Sequence, residues 1–140
     1  MPQVKEKFLK IADRRSTKAV IAALKKSLKR YSSKYGSLYV GIAVDPRKRF
    51  AQHNKAVTSG TGNKQSDEPW PLCFVIFETG SDHRVKKIEK ELVTWALKDQ
   101  KISKKMLNDR AGGAGRRPKD GSKAYVYVLA DPKETKWTIV

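Results

Sequence analysis

Acidic residues are scarce in this chain: 14 Asp and Glu stand against 31 Lys and Arg, leaving a net charge of +17 on 140 residues. Its one cysteine, Cys73, and two histidines exclude a disulfide framework and leave too few ligands for a structural zinc site. No apolar run approaches the roughly 18 residues a membrane span requires, so no membrane association is expected. The opening Met1-Pro2-Gln3-Val4-Lys5 lacks an apolar h-region, and the chain therefore reads as cytoplasmic. What is present suffices for a core: 39% of residues are hydrophobic and three are Trp. The length suits a single domain. Such a basic globular domain points to a polyanionic partner.

The charge is unevenly spread, with +12 of the +17 falling in residues 1–56. A second basic knot follows at Arg110, Arg116, Arg117 and Lys119. Contacts from such residues to phosphates bind strongly and without regard to sequence.

Apolar periodicity divides the chain into elements. Val4, Phe8, Ile11 and Ala12 have helical spacing, which predicts a helix over 3–12. A second helix is expected from Thr17, with Val20, Ile21, Leu24 and Leu28 on one face and lysines opposite, running out near Tyr31. Residues 38–43 (LYVGIA) read as a strand; Asp45-Pro46 then opens a helix of roughly 46–54 as N-cap and first-turn proline. Residues 55–70 read as loop. Residues 71–77 (PLCFVIF) read as a central strand, and 81–98 as the clearest helix, buried along Val85, Ile88, Leu92, Trp95 and Ala96. A loop over 108–121 precedes a further strand at 124–130 (AYVYVLA), and Trp137 to Val140 is expected to pair back as a hairpin. The sum is an α/β (α+β) domain with a small central antiparallel sheet flanked by helices. Residues 1–33 form a basic helical extension, 34–110 a core, and 111–140 a Gly-rich basic loop with a C-terminal hairpin.

Arg49 and His53 are four apart on the short helix, so both leave one face. With Tyr39 on the preceding strand they offer a phosphate clamp, a proton-transfer group and a phenol. Taken alone, an Arg-xxx-His pair is more often a surface ion-pair partner and a packing histidine. Glu89 changes the balance. Its i±4 neighbours are Val85 and Val93, so it borders the apolar stripe, where a carboxylate is costly without a cationic or metal partner. Glu91 reads as a surface charge. Asn108 precedes the loop DRAGGAGRR, whose backbone amides can approach phosphates closely.

At these residues the sequence resembles the GIY-YIG nuclease family. Tyr39-Val40-Gly41 is similar to the second signature tripeptide; Arg49 follows Tyr39 by ten residues and His53 follows Arg49 by four, as in the family. Glu89-Lys90-Glu91-Leu92-Val93 resembles the family's metal-binding Glu and the apolar pair after it, and Asn108 its late active-site Asn. The family's first strand, with its own tyrosine, has no clear counterpart upstream. Tyr31 can fill the place by facing Tyr39 across a hairpin turning at Lys34-Tyr35-Gly36. Alternatively the strand around Tyr127 fills it, which makes the strand order circularly permuted. The lower loop-closure cost of a local hairpin favours Tyr31.

The resemblance implies a Mg²⁺- or Mn²⁺-dependent endonuclease acting on double-stranded DNA, of restriction or phage and mobile-element type. Glu89 would bind the metal, Arg49 would clamp a phosphate oxygen, and Tyr31 or Tyr127 would accept the proton of the attacking water. Tyr39 and His53 would support that tyrosine, with Asn108 close by. Lys55, Lys64, Arg110, Arg116 and Arg117 are the expected DNA contacts. Cutting both strands from a single site calls for a homodimer or sequential nicking. Two other readings compete: a basic DNA- or RNA-binding protein that keeps the fold without activity, and a PD-(D/E)xK nuclease built on Asp120, Glu134 and Lys136.

Overall fold

A computed structural model of the chain describes residues 3–6, 16–58, 69–108 and 123–132. Ser16 starts the first long helix, α1 (Thr17–Lys34): its side-chain oxygen accepts from the Ala19 amide, as a capping serine should. Strand β2 (Ser37–Ala43) follows, and Asp45 caps α2 (Pro46–Thr58) by accepting from the Lys48 amide. Strand β3 (Leu72–Thr79) leads to α3 (Asp82–Lys98), capped by Ser81. A 3-10 turn at Ser103–Lys105 and strand β4 (Ala124–Asp131) complete the described elements. Among the described residues, no helix is long and apolar enough to cross a membrane.

The first four described residues are a strand, β1 (Gln3–Glu6), where helical spacing predicts a helix. β1 pairs in parallel with β3, Val4 opposite Cys73, and the Gln3 amide donates to the Pro71 carbonyl at 2.8 Å. An open edge of a buried strand offers a full ladder of partners, and that outweighs four thinly spaced apolar residues. Phe8, Ile11 and Ala12 lie outside the described residues, as does the return strand expected at 137–140.

The sheet order is β1-β3-β4-β2, with β4 antiparallel to both neighbours. The chain is therefore an α+β fold on a four-stranded mixed sheet, its antiparallel part formed by β3, β4 and β2. Residues alternate between the two faces. Leu38, Val40, Ile42, Val126 and Val128 pack with Leu24 and Leu28 of α1 and Ile88 and Leu92 of α3. Tyr39, Cys73, Val75, Tyr127 and Leu129 pack with Phe50 of α2 and with Trp70. So α1 and α3 cover one face and α2 the other.

Candidate active site

The period-two alternation of β2 sends Tyr39 and Gly41 to the α2 face. The register sets Gly41 directly opposite Tyr127, which in turn sits opposite Val75. A Cβ on Gly41 would stand 2.5 Å from the Tyr127 hydroxyl oxygen and 2.6 Å from Cζ. Glycine is needed here for close approach: the Tyr127 ring lies over it, only 1% exposed.

The helix α2 brings His53 over this pair. Its Nε2 is 2.8 Å from the Tyr127 hydroxyl, and its ring meets Tyr39 edge-on with centroids 4.8 Å apart. His53 thus bridges the two tyrosines. Burial pushes its pKa down to about 4, and the Arg49 charge one turn earlier adds to the shift. At neutral pH the imidazole is uncharged, and in the tautomer that carries its proton on Nδ1 the Tyr127 O–H donates to Nε2. Burial also raises the Tyr127 pKa well above that of a free phenol, despite the nearby Arg49 guanidinium, which acts to lower it. A neutral phenol hydrogen-bonded to a neutral imidazole forms a two-group proton path, with Arg49 beside it as the cation.

Two asparagines hold this cluster in place. Asn54 of α2 accepts from the Trp70 amide at 2.7 Å and donates to its carbonyl at 3.2 Å, tying α2 to the start of β3. Asn108 does the same for β2, accepting from the Val40 amide at 2.9 Å and donating to the Val40 carbonyl at 2.8 Å. The Leu107 amide donates to Leu38 beside it. Asn108 thereby fixes the residue between Tyr39 and Gly41 while its own amide group is spent on backbone. Replacing Asn108 by Leu orphans both Val40 groups and should cost about 1–3 kcal/mol for each in a denaturant melt.

Glu89 is 4% exposed on α3, the helix of the opposite layer, within the sheet-facing stripe of Val85, Ile88, Leu92 and Val93. The described residues hold no group of three or more His, Cys, Asp or Glu suited to a metal. A single carboxylate still fits Mg²⁺, which keeps most of its waters and takes one or two protein oxygens plus substrate phosphate. Lys55 stands exposed in the last turn of α2. Lys64, Arg110, Arg116 and Arg117 lie outside the described residues, as do Asp120, Glu134 and Lys136 of the competing motif.

The hairpin expected around Lys34-Tyr35-Gly36 does not form, because α1 continues through Tyr31 to Lys34. Tyr31 lies on the α1 and α3 side of the sheet, stacked on Phe74 with centroids 4.5 Å apart. The tyrosine beside Tyr39 and His53 is Tyr127. Its signal in the sequence was the uninterrupted apolar run of β4, which marks a strand buried on both faces. The signal against Tyr31 was its place in the series Leu24, Leu28, Tyr31, Tyr35, which continues the helical stripe. Neither Asn54 nor the spatial reason for Gly41 was read from the sequence; both depend on partners distant along the chain.

The family model described as the GIY-YIG catalytic domain matches residues 30–103. The match opens in the last turn of α1 and closes before β4, so the strand carrying Tyr127 falls outside it. No curated protein and no solved structure matches the chain.

Proposed function

Because the chain belongs to the GIY-YIG family, a family of nucleases, we propose that it is a metal-dependent endonuclease of double-stranded DNA. In this reading β4 supplies the first signature tyrosine, Tyr127. The observation that carries it is the Tyr127–His53 hydrogen bond at 2.8 Å, formed against Gly41 of the second signature strand.

The scissile phosphate would lie on the α2 face against Arg49, whose guanidinium can bind two of its oxygens. A water in line with the leaving oxygen gives its proton to the Tyr127 oxygen as the Tyr127 hydroxyl proton passes to His53 Nε2. The water oxygen bonds to phosphorus, the bond to the leaving oxygen breaks, and that oxygen is protonated from solvent. The family resemblance assigns a Mg²⁺ or Mn²⁺ to Glu89, and such an ion would supply charge neutralisation to a phosphate; Glu89 itself stands in the α3 layer, across the sheet from Arg49 and His53.

A resting imidazole with a pKa of about 4 is a weak base. The substrate corrects this. An arriving phosphate neutralises Arg49 and places negative charge near the ring, and both effects raise the His53 pKa. His53 acts only when unprotonated, so activity is lost as pH falls through its pKa. The acid limb of kcat/KM, which reports the free protein, should lie near pH 4, and that of kcat, which reports the complex, should lie higher. Limbs at the same pH would contradict this substrate-induced shift.

The basic test is supercoiled plasmid with Mg²⁺. Nicked or linear product is expected from the wild type and none from Glu89→Gln, which should still bind DNA. Cutting that survives both Glu89→Gln and removal of metal would overturn the proposal. The absence of any cutting would favour the binding-protein reading. A restriction-type or phage or mobile-element nuclease is the role proposed for this basic domain.

A further inference from the structure

The α2 face does not account for the protein's charge. The helix α1, on the other side of the sheet, carries Lys18, Lys25, Lys26, Lys29, Arg30 and Lys34 and no acidic residue. Among the described residues, no salt bridge engages any of these cations. Lys25 and Lys29 lie one turn apart and converge on Trp95 of α3, their ammonium groups 5.3 and 5.8 Å from its ring. Beside Trp95 an open cleft of about 500 Å³ is lined by Lys98, Asp99, Gln100 and Lys101. One carboxylate borders the patch: Asp99 accepts from the amides of Ile102 and Lys101, and these bonds, with the Lys29 and Lys101 charges, hold its carboxyl below the usual range, so it offsets one of the cations there. Trp95 holds two flexible lysines side by side, which lowers the entropic cost of presenting them to a ligand.

We propose that the α1 surface, centred on Lys25, Lys29 and Lys101, is a second, non-catalytic binding site for the phosphate backbone of duplex DNA. Its ligand class follows from charge complementarity: six cations along a helix with no acid of its own, against the single carboxylate of Asp99, suit a regular polyanion. A duplex seated against Arg49 and His53 has the sheet between it and α1. The protein therefore contacts two segments of DNA, one per face. This site concerns binding alone and stands whether or not the α2 face cuts.

The test is a bridging assay in EDTA, where no cleavage occurs. Beads bearing one duplex should capture a second, fluorescent duplex only when the protein is present. The Lys25→Ala/Lys29→Ala/Lys101→Ala variant should lose most capture while still binding a single short duplex. On long DNA its slope of log K against log salt should be shallower by about 2–3. A second variant, Lys26→Ala/Arg30→Ala, leaves the Trp95 contacts intact and should weaken capture in the same direction, guarding against a folding defect in the first. No capture by the wild type, or undiminished capture by both variants, would overturn the proposal. So would equal loss of short-duplex binding and capture, which would mean that all the cations serve one site.

Discussion

Tyr127→Phe should lower the single-turnover cleavage rate by about 10²–10⁴-fold, the usual contribution of a positioned acid–base group. The substitution removes only the hydroxyl, so the ring stays packed against Gly41 in a position that is 1% exposed. His53 Nε2 then loses its 2.8 Å partner, and water has no route for its proton through the phenol. The cost in stability is that of one half-buried acceptor left unpaired, about 1–3 kcal/mol, which a thermal melt will separate from the loss in rate. DNA affinity should be unchanged, because the phosphate contacts come from cations.

Gly41→Ala should be nearly as damaging by a different route. The new methyl would sit 2.5 Å from the Tyr127 hydroxyl oxygen and 3.0 Å from Cε1, so the ring must move. With neighbours on every side it cannot move freely, and overpacking of this kind costs about 1–3 kcal/mol. A displaced ring also breaks the bond to His53, so cleavage should fall at least 100-fold, about the loss a missing acid–base group brings. A Gly41→Ala protein of native stability and rate would show that the ring does not rest on this glycine.

Most elements of the fold were legible because their signals are local. Asp45-Pro46 announces the start of α2, and Ser81 with Val85, Ile88 and Leu92 defines α3. That Tyr39, Arg49 and His53 lie close together was readable from spacing, since a strand and the helix it feeds keep their relative phase over 15 residues, but only the family resemblance singled them out as a site. What stayed hidden depends on pairing across the sheet. β1 has one half-buried apolar residue, Val4, and exists because β3 leaves an edge to pair with. The place of β4 between β2 and β3 joins residues 41 and 127, a contact no local pattern encodes. Loop-closure cost argued for the nearer Tyr31, but that cost grows slowly with length, while breaking α1 to free Tyr31 would forfeit its stacking on Phe74 and the buried stripe it belongs to. Packing decided the order.

The central claim is that the last described strand supplies the tyrosine that the family otherwise draws from its first. Cleavage of one plasmid substrate in Mg²⁺ by Tyr31→Phe and Tyr127→Phe, measured side by side, tests it most directly. Tyr31 stacks on Phe74 away from His53, so Tyr31→Phe should cut within about twofold of wild type, while Tyr127→Phe should fall by 10²–10⁴-fold as estimated above for a lost acid–base group. Loss of cutting in Tyr31→Phe with Tyr127→Phe fully active would contradict the account.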